Sequence, residues 1–277
     1  MAADSFPLRW NDGLPGVTMP LFDYPVAVFI TTILVLLIAH EAGYRARPGI
    51  QGRDAVWMDQ IREIRNFIGL LLSLLIGFAM SMALTIYNQR EQLIVEEAGA
   101  IQSAYLSSTL QDDAVRLQSA SLFDQYLKTR IAALDEDTPL ADRTESISQS
   151  MRIQRLMWKG LMQQAPLHPS PIVAGYAEAL KQMFGHEAAQ NALSHNRVPL
   201  DIWILLSLLS IMISIVSGYG EQRRMLISGL IPALMIATAL CLMADLSSPV
   251  SGFIHVRPES LRAMQANLEL IRTRQGA

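Results

Sequence analysis

Apolar residues are concentrated in four windows of the chain, each long enough to cross a bilayer. A helix needs about 20 predominantly apolar residues to span the hydrocarbon core. Backbone polar groups inside lipid must be satisfied within the segment, so we expect each window to be a helix. The pattern predicts four transmembrane helices and a lipid bilayer as the first partner. The windows are residues 24–43, 67–87, 202–220 and 225–244.

The segment between the second and third windows is polar enough to face water, but its apolar residues recur at helical spacing. Ile94, Ala98, Ile101 and Tyr105 form one such stripe, and no Pro or Gly separates it from the second window. Three further helices are expected to follow. Thr138-Pro139 and Ser170-Pro171 each have the pattern of an N-cap residue followed by proline at the first helical position.

The predicted fold class is therefore an all-α membrane protein, with a helical extramembrane domain inserted between spans two and three. No strand alternation or hairpin signal competes with this interpretation. The expected divisions are an N-terminal segment (1–23), spans one and two with a short basic loop (24–87), the helical domain (88–199), spans three and four (200–246) and a C-terminal extramembrane segment (247–277).

Arginines are unevenly distributed between the two predicted membrane faces. Four spans place both termini and the 88–199 domain on one face and the short loops on the other. The positive-inside rule then assigns the loops to the cytoplasm and the domain to the outside of a cell (inner) membrane. The loop arginines are Arg45, Arg47, Arg53, Arg62, Arg65, Arg223 and Arg224.

Composition narrows the function classes. Of 277 residues, 51% are hydrophobic and 17% charged, and the net charge of −3 provides no basic field that would attract nucleic acid. The single cysteine, Cys241, cannot form an internal disulfide. No zinc-binding, phosphate-loop, dinucleotide or nucleophile-elbow pattern occurs. We therefore expect no enzyme activity, no cofactor and no resident metal.

Small residues recur every four positions along the second window. Such ridges let helix backbones approach closely in lipid, where no hydrophobic force draws helices together. Steps of four drift around a helix, so the ridge winds over its surface. It predicts either packing against a neighbouring span or a subunit interface or pore wall. Its members are Gly69, Ser73, Gly77, Ser81 and Thr85.

The third window carries a column of serines whose spacing keeps them on one helical face. A serine hydroxyl can bond to a carbonyl of its own helix, which lowers the cost of placing it in lipid. The column predicts either a helix–helix seam or the lining of a wet path. Its members are Ser207, Ser210, Ser214 and Ser217.

Charged residues gather where the spans meet the predicted domain. Glu97 follows the second window, Arg197 precedes the third and Asp245 ends the fourth. The topology places all three at one membrane face, where an ionisable group is a default functional candidate. We expect either a collar of ion pairs joining the domain to the spans or a charged ring at a pore mouth.

Three separate motifs resemble those of a known family. Glu96-Glu-Ala-Gly-Ala-Ile-Gln-Ser-Ala-Tyr105 is similar to its E-E-A-N-A-I-x-x-A-Y segment. Arg197-Val-Pro-Leu-Asp-Ile-Trp203 is similar to its R-x-P…W entry into a span. Asp245-Leu-Ser-Ser-Pro-Val-Ser-Gly-Phe-Ile-His-Val256 resembles its D-L-D-x-P-x-x-G-x-I-x-V segment. Together they resemble the bestrophin-like domain family of four-span, mostly bacterial, membrane proteins.

The resemblance implies kinship with bestrophins, which are homo-oligomeric anion channels. It thereby suggests a homo-oligomer and inorganic ions as partners. Two positions depart from the pattern: Gly99 stands where the family has Asn, and Ser247 where it has a second acid. Bestrophins also keep the segment between spans two and three in the cytoplasm, whereas the arginine count places it outside.

Two function hypotheses follow. One is a homo-oligomeric ion channel or channel-like pore, with the small-residue ridge as its wall or packing surface and the boundary charges at its mouth. The other is a membrane interaction or sensory subunit that transports nothing, motivated by the amphipathic helical domain and by spans without strongly buried charge.

Overall fold

The computed structural model describes residues 24–46, 55–135, 138–165, 169–193, 196–221, 226–248, 254 and 256–275. Every regular element in these ranges is an α-helix, which confirms the all-α class. The helices are α1 (Pro25–Ala46), α2 (Ala55–Ser108), α3 (Asp113–Leu134), α4 (Leu140–Gln164), α5 (Pro171–Leu193), α6 (Leu200–Tyr219), α7 (Leu226–Ser247) and α8 (Glu259–Gln275).

Four of these helices are long and apolar enough to cross a membrane, as the sequence predicts. They are α1, α2, α6 and α7, with mean hydropathies between 2.1 and 2.4 in their most apolar stretches. Most of the residues in those stretches are not covered by other parts of the chain. An apolar helix with so much of its surface uncovered requires lipid or another subunit around it.

The second span does not end with its apolar stretch but continues beyond it as one helix. α2 has 54 residues, which corresponds to about 80 Å at 1.5 Å per residue. The predicted continuation of the helix beyond residue 87 is confirmed. One rigid element therefore runs from the short-loop end of the molecule through the apolar region and into the polar half of the fold.

The helices form two packed groups that share α2. We call the first the span bundle: α1, α6, α7 and residues 67–87 of α2. Its core includes Leu72, Ala83, Leu206 and Ala244. We call the second the polar bundle: α3, α4, α5, α8 and residues 88–108 of α2. Its core is centred on the residues Ile101, Phe123, Leu127, Leu180, Met183 and Leu261.

The sequence predicts the N-cap residue of α5 correctly, but not that of α4. Ser170 caps α5 as predicted, since its hydroxyl oxygen accepts a hydrogen bond from the backbone N–H of Val173 at 3.3 Å. For α4 the predicted boundary is one residue too early. Pro139 occupies the cap position, with extended backbone angles, and the helix begins at Leu140.

Two glycines bring α1 and α6 into backbone contact. A Cβ atom at Gly43 would overlap the carbonyl oxygen of Ile215, and one at Gly218 would overlap that of His40. Only glycine lets two helix backbones approach so closely. This crossing lies near the C-terminal ends of both helices, at the short-loop end of the span bundle.

Candidate functional site

The small-residue ridge of α2 lies mainly on the outside of the chain. Ser73, Gly77, Ser81 and Thr85 are exposed, and a Cβ atom added at Gly77 would meet nothing within 4 Å among the residues that the structure describes. Only Gly69 is near another span, with 3.2 Å between its Cβ position and Cδ1 of Ile213 in α6. The ridge therefore starts beside α6 and winds onto the uncovered face of α2.

Two of the three ridge hydroxyls, those of Ser73 and Thr85, are satisfied within their own helix. Ser73 Oγ donates to the carbonyl of Gly69 at 2.7 Å, and Thr85 Oγ1 donates to that of Ser81 at 2.9 Å. The lone pairs of these oxygens still face outwards. A surface of this kind tolerates lipid, a second helix or water, because most of its hydroxyl donors already have a partner in the same helix.

The same uncovered face continues along α2 beyond the apolar stretch and becomes polar. At about 3.6 residues per turn, Gly77 and Ser81 are in register with exposed residues of the polar bundle. These carry no charge, and a Cβ atom at Gly99 would also meet nothing within 4 Å. The continuing residues are Asn88, Gln92, Val95, Gly99 and Gln102.

The serine column of α6 points inwards, towards α1. Ser210 and Ser214 are buried, and Ser210 Oγ donates to the carbonyl of Leu206 at 2.7 Å. Ser207 and Ser210 line a cavity whose opposite wall is α1. Ser207 and Ser217 are half-buried. This arrangement is that of a seam between two helices of one chain.

Two of the three predicted boundary charges lie at one end of the span bundle. Asp245 is buried near the end of α7, and half-buried Arg197 precedes α6. Arg90 of α2 joins these segments, since its Nη2 donates to the backbone carbonyls of Asn196 at 2.8 Å and Ser247 at 3.2 Å. Burial and the nearby charge of Arg197 lower the pKa of Arg90. These bonds tie α2 to the segments beside α6 and α7, while the choice between a collar of ion pairs and a charged ring stays a prediction.

Glu97 does not belong to this group. It is fully buried in the polar bundle, where Arg130 of α3 holds it with two hydrogen bonds, Nε to Oε1 at 2.5 Å and Nη2 to Oε2 at 3.0 Å. Its placement beside Arg197 and Asp245 at a membrane face was inferred from chain position alone. The helical turn puts its side chain on the inner face of α2, away from that surface.

A second carboxylate, Glu187 of α5, completes a buried polar cluster. Its oxygens accept hydrogen bonds from Tyr126 at 2.7 Å, from Ser150 at 2.5 Å and from Gln154. Arg130 lies 3.4 Å from it. One guanidinium and two carboxylates are thus enclosed together, with hydroxyl and amide donors replacing the water that the second carboxylate has lost.

The cluster shifts the ionisation of its members. Burial alone lowers the pKa of Arg130, but the hydrogen bonds and charge of Glu97 outweigh it and raise that pKa above its usual value. Burial and the charges of Glu97 and Glu187 raise the pKa of Tyr126 well above 10.0. Arg130 is therefore a fixed cation and Tyr126 a fixed donor at any physiological pH.

Comparison with known proteins places the chain in a family. The model of the Bestrophin-like domain matches residues 33–261, which is most of the sequence and includes the later part of α1 and all of the other three spans. The chain belongs to the Bestrophin-like domain family. No curated protein and no solved structure matches it.

Membership in the Bestrophin-like family, with the four apolar helices, makes this a multi-pass membrane protein of a channel-like family. The two departures from the family motifs occupy different environments. Gly99 lies on the uncovered face of α2. Ser247 is buried, its hydroxyl bonded to the carbonyl of Ala244 at 3.1 Å. Only Gly99 stands where ions or another subunit could reach it.

The buried cluster of this Bestrophin-like protein was not anticipated from the sequence, although a signal for it exists. Arg130 falls in register with the apolar stripe of α3 formed by Phe123, Tyr126 and Leu127. Glu97 likewise shares a face with Ile94 and Ile101. A charge inside an apolar stripe must be buried with a partner, and finding several such charges predicts that they meet.

Proposed function

We propose that this protein is a homo-oligomeric channel or channel-like pore of the cell membrane, with the uncovered face of α2 lining the path. The observation that carries the proposal is the position of Gly77, Ser81 and Thr85 on the outside of the chain. A ridge used only for packing within one chain would be covered by a neighbouring span.

The continuation of that face supports the proposal. Beyond the apolar stretch it presents uncharged residues, which include the polar or small Asn88, Gln92 and Gly99 as well as the apolar Val95. Copies of α2 arranged around an axis would bring these faces together as a narrow apolar or small-residue section followed by a polar vestibule. Hydrophobic constrictions and polar rims are common parts of ion pathways.

In this proposal the polar bundle lies outside the membrane and holds α2 in place. The ion pair of Glu97 with Arg130 ties the extension of α2 to α3, and Arg90 ties it to the ends of α6 and α7. We place the bundle on the extracytoplasmic side from the arginine count of the short loops. Both placements are part of the proposal.

The test is ion flux in liposomes containing the purified protein, with anion and cation gradients measured separately. We expect flux selective for one ion class, changed by Gly77→Leu while the size of the oligomer is unchanged, because the added side chain would project into the path. The matched control is Thr238→Leu, a small-to-large change at an exposed position of α7, which should leave flux unaltered.

Two results would count against the proposal. If Gly77→Leu only abolished assembly, the ridge would be a packing surface and not a pore wall. If folded, oligomeric protein carried neither ion class and purified with a stoichiometric partner, the interaction or sensory subunit would be the better account.

A further inference from the structure

A cavity separates α1 from α6 in the half of the span bundle that adjoins the polar bundle. The two helices touch at Gly43 and Gly218 near their C-terminal ends. Towards their N-terminal ends, at the level of Val28 and Trp203, a space of about 260 Å³ lies between them, with Leu240 of α7 also lining it. The cavity therefore lies at the opposite end of this helix pair from the glycine contact.

The lining combines an apolar surface with a small group of hydroxyls. Thr31 and Thr32 contribute from α1, and Ser207 and Ser210 from α6. Thr31 and Ser210 donate to carbonyls of their own helices. Within the described part of the chain, Thr32 and Ser207 have no hydrogen-bond partner. The cavity therefore offers one pair of unused donors in apolar surroundings.

The cavity opens to the side, onto the apolar outer surface of the spans. Its wall residue Val35 is 45% exposed, and Ile38, Ile204 and Leu208 beside it on the same helices are exposed by 68%, 57% and 53%. This surface faces hydrocarbon in a multi-pass membrane protein. The medium available to fill the cavity is thus lipid, and apolar cavities of only about 150 Å³ already hold a benzene ring.

The depth of the cavity identifies the part of the lipid that would meet the hydroxyls. Asp201, an exposed acid in the first turn of α6, marks the polar boundary of the span, because a charged side chain is costly inside hydrocarbon. Ser207 is less than two helical turns deeper, roughly 9 Å. The ester groups of a phospholipid lie between headgroup and acyl chains, at the level where these hydroxyls face the cavity.

From these observations we infer that the cavity is a binding site for one phospholipid acyl chain, with the ester carbonyl accepting a hydrogen bond from Ser207 or Thr32. Apolar burial fixes the chain, and the hydroxyls fix its depth. The site is independent of any ion path along α2, because it lies between α1 and α6 and is lined by neither the small-residue ridge nor the boundary charges.

Tryptophan quenching tests this site directly, because Trp203 lines the cavity. A protein retaining only this one of its four tryptophans, with Trp10, Trp57 and Trp158 changed to Phe, is reconstituted in vesicles of phosphatidylcholine brominated at different acyl positions. Bromine quenches indole fluorescence on close contact. We expect strong quenching by bromines near the ester end of the chain and weaker quenching by bromines near its methyl end.

Matched variants separate a bound chain from the surrounding bilayer. Ser207→Phe fills the cavity and should relieve most of the quenching, whereas Leu208→Phe, on the outer surface of the same helix, should not. Thr32→Phe from the opposite wall provides a second filling variant if Ser207→Phe does not fold. Equal quenching in filled and control variants, or none in the parent protein, would overturn the assignment.

Discussion

At the scale of single residues, the most consequential feature is the burial of Arg130 between two carboxylates. Arg130, Glu97 and Glu187 are 1%, 0% and 2% exposed and come from three different helices. Charges enclosed in this way are tolerated only when each has a partner. The cluster therefore specifies how α2, α3 and α5 fit together more sharply than apolar contacts would.

Removing the cation alone should destabilise the protein strongly. In Arg130→Met, Glu97 would be left as an uncompensated buried anion, which costs about 3–5 kcal/mol. The midpoint of thermal unfolding in detergent, followed by circular dichroism, measures the effect. Lys128→Met on the same helix is the control, because that lysine is largely exposed and paired only with Asp124; such a pair contributes at most about 1 kcal/mol.

A double variant distinguishes a charge effect from a packing effect. Arg130→Met combined with Glu97→Leu removes both charges of the closest pair, and replacing a buried pair by apolar side chains is often nearly neutral. We expect the double variant to be more stable than Arg130→Met alone. A double variant that is less stable would show that shape, not charge, dominates at this position.

Tyr126 makes a pH-dependent contribution to the free energy of unfolding. Its pKa is raised in the folded protein and is about 10 in an unfolded chain. Its stabilisation is therefore complete below about pH 10 and is lost as pH rises above that value, because the unfolded state releases its proton first. The stability difference between the parent and Tyr126→Phe should shrink when pH is raised from about 8 to 11. A constant difference would contradict the assignment.

At the scale of secondary-structure elements, small residues determine how closely the helices of the span bundle approach one another. The structure shows such residues in two different environments. Gly43 and Gly218 permit direct contact between the backbones of α1 and α6. On the ridge of α2, a Cβ atom at Gly69 would meet the side chain of Ile213, and one at Gly77 would meet nothing within 4 Å among the described residues. The sequence shows both patterns as small residues in apolar helices, and spacing alone cannot tell a covered ridge from an uncovered one.

This contrast predicts opposite results for the same substitution. Gly218→Ala would place a methyl group on the carbonyl of His40, and overpacking of this kind costs about 1–3 kcal/mol. Gly99→Ala meets nothing within 4 Å and should be neutral or stabilising, since alanine favours a helix by about 1 kcal/mol over glycine. Thermal midpoints of the two variants in detergent provide the comparison. No loss of stability in Gly218→Ala would mean that α1 and α6 are not in backbone contact at this position.

At the scale of the whole molecule, the sequence predicts the class of fold and its linear order well. Long apolar windows and proline-marked starts are local signals, so the four spans, the continuous α2 and the cap at Ser170 follow from them. The meeting of Glu97 with Arg130 and Glu187 depends on contacts between residues far apart in the chain. Such contacts are fixed by how helices pack, which a single sequence does not display.

The same distinction applies to the candidate site. The sequence identifies the ridge residues from Gly69 to Thr85, and the structure adds that most of them are uncovered. The burial of Ser210 and Ser214 favours the seam for the serine column, which stays a prediction. A pore wall along α2, formed by several copies of the chain, is the central claim that these placements support.

Cysteine accessibility along α2 tests that claim most directly. In a Cys241→Ser background, Gly77→Cys and Ser81→Cys are compared with Ile38→Cys and Met235→Cys, which replace exposed apolar residues of α1 and α7. The reconstituted proteins are treated with a charged, water-soluble thiol reagent while flux is recorded. If α2 lines an aqueous path, the two α2 cysteines will react and flux will fall, whereas the α1 and α7 cysteines will remain unlabelled. If the α2 cysteines react no more than the other two, α2 faces lipid or a dry interface, and the pore account is wrong.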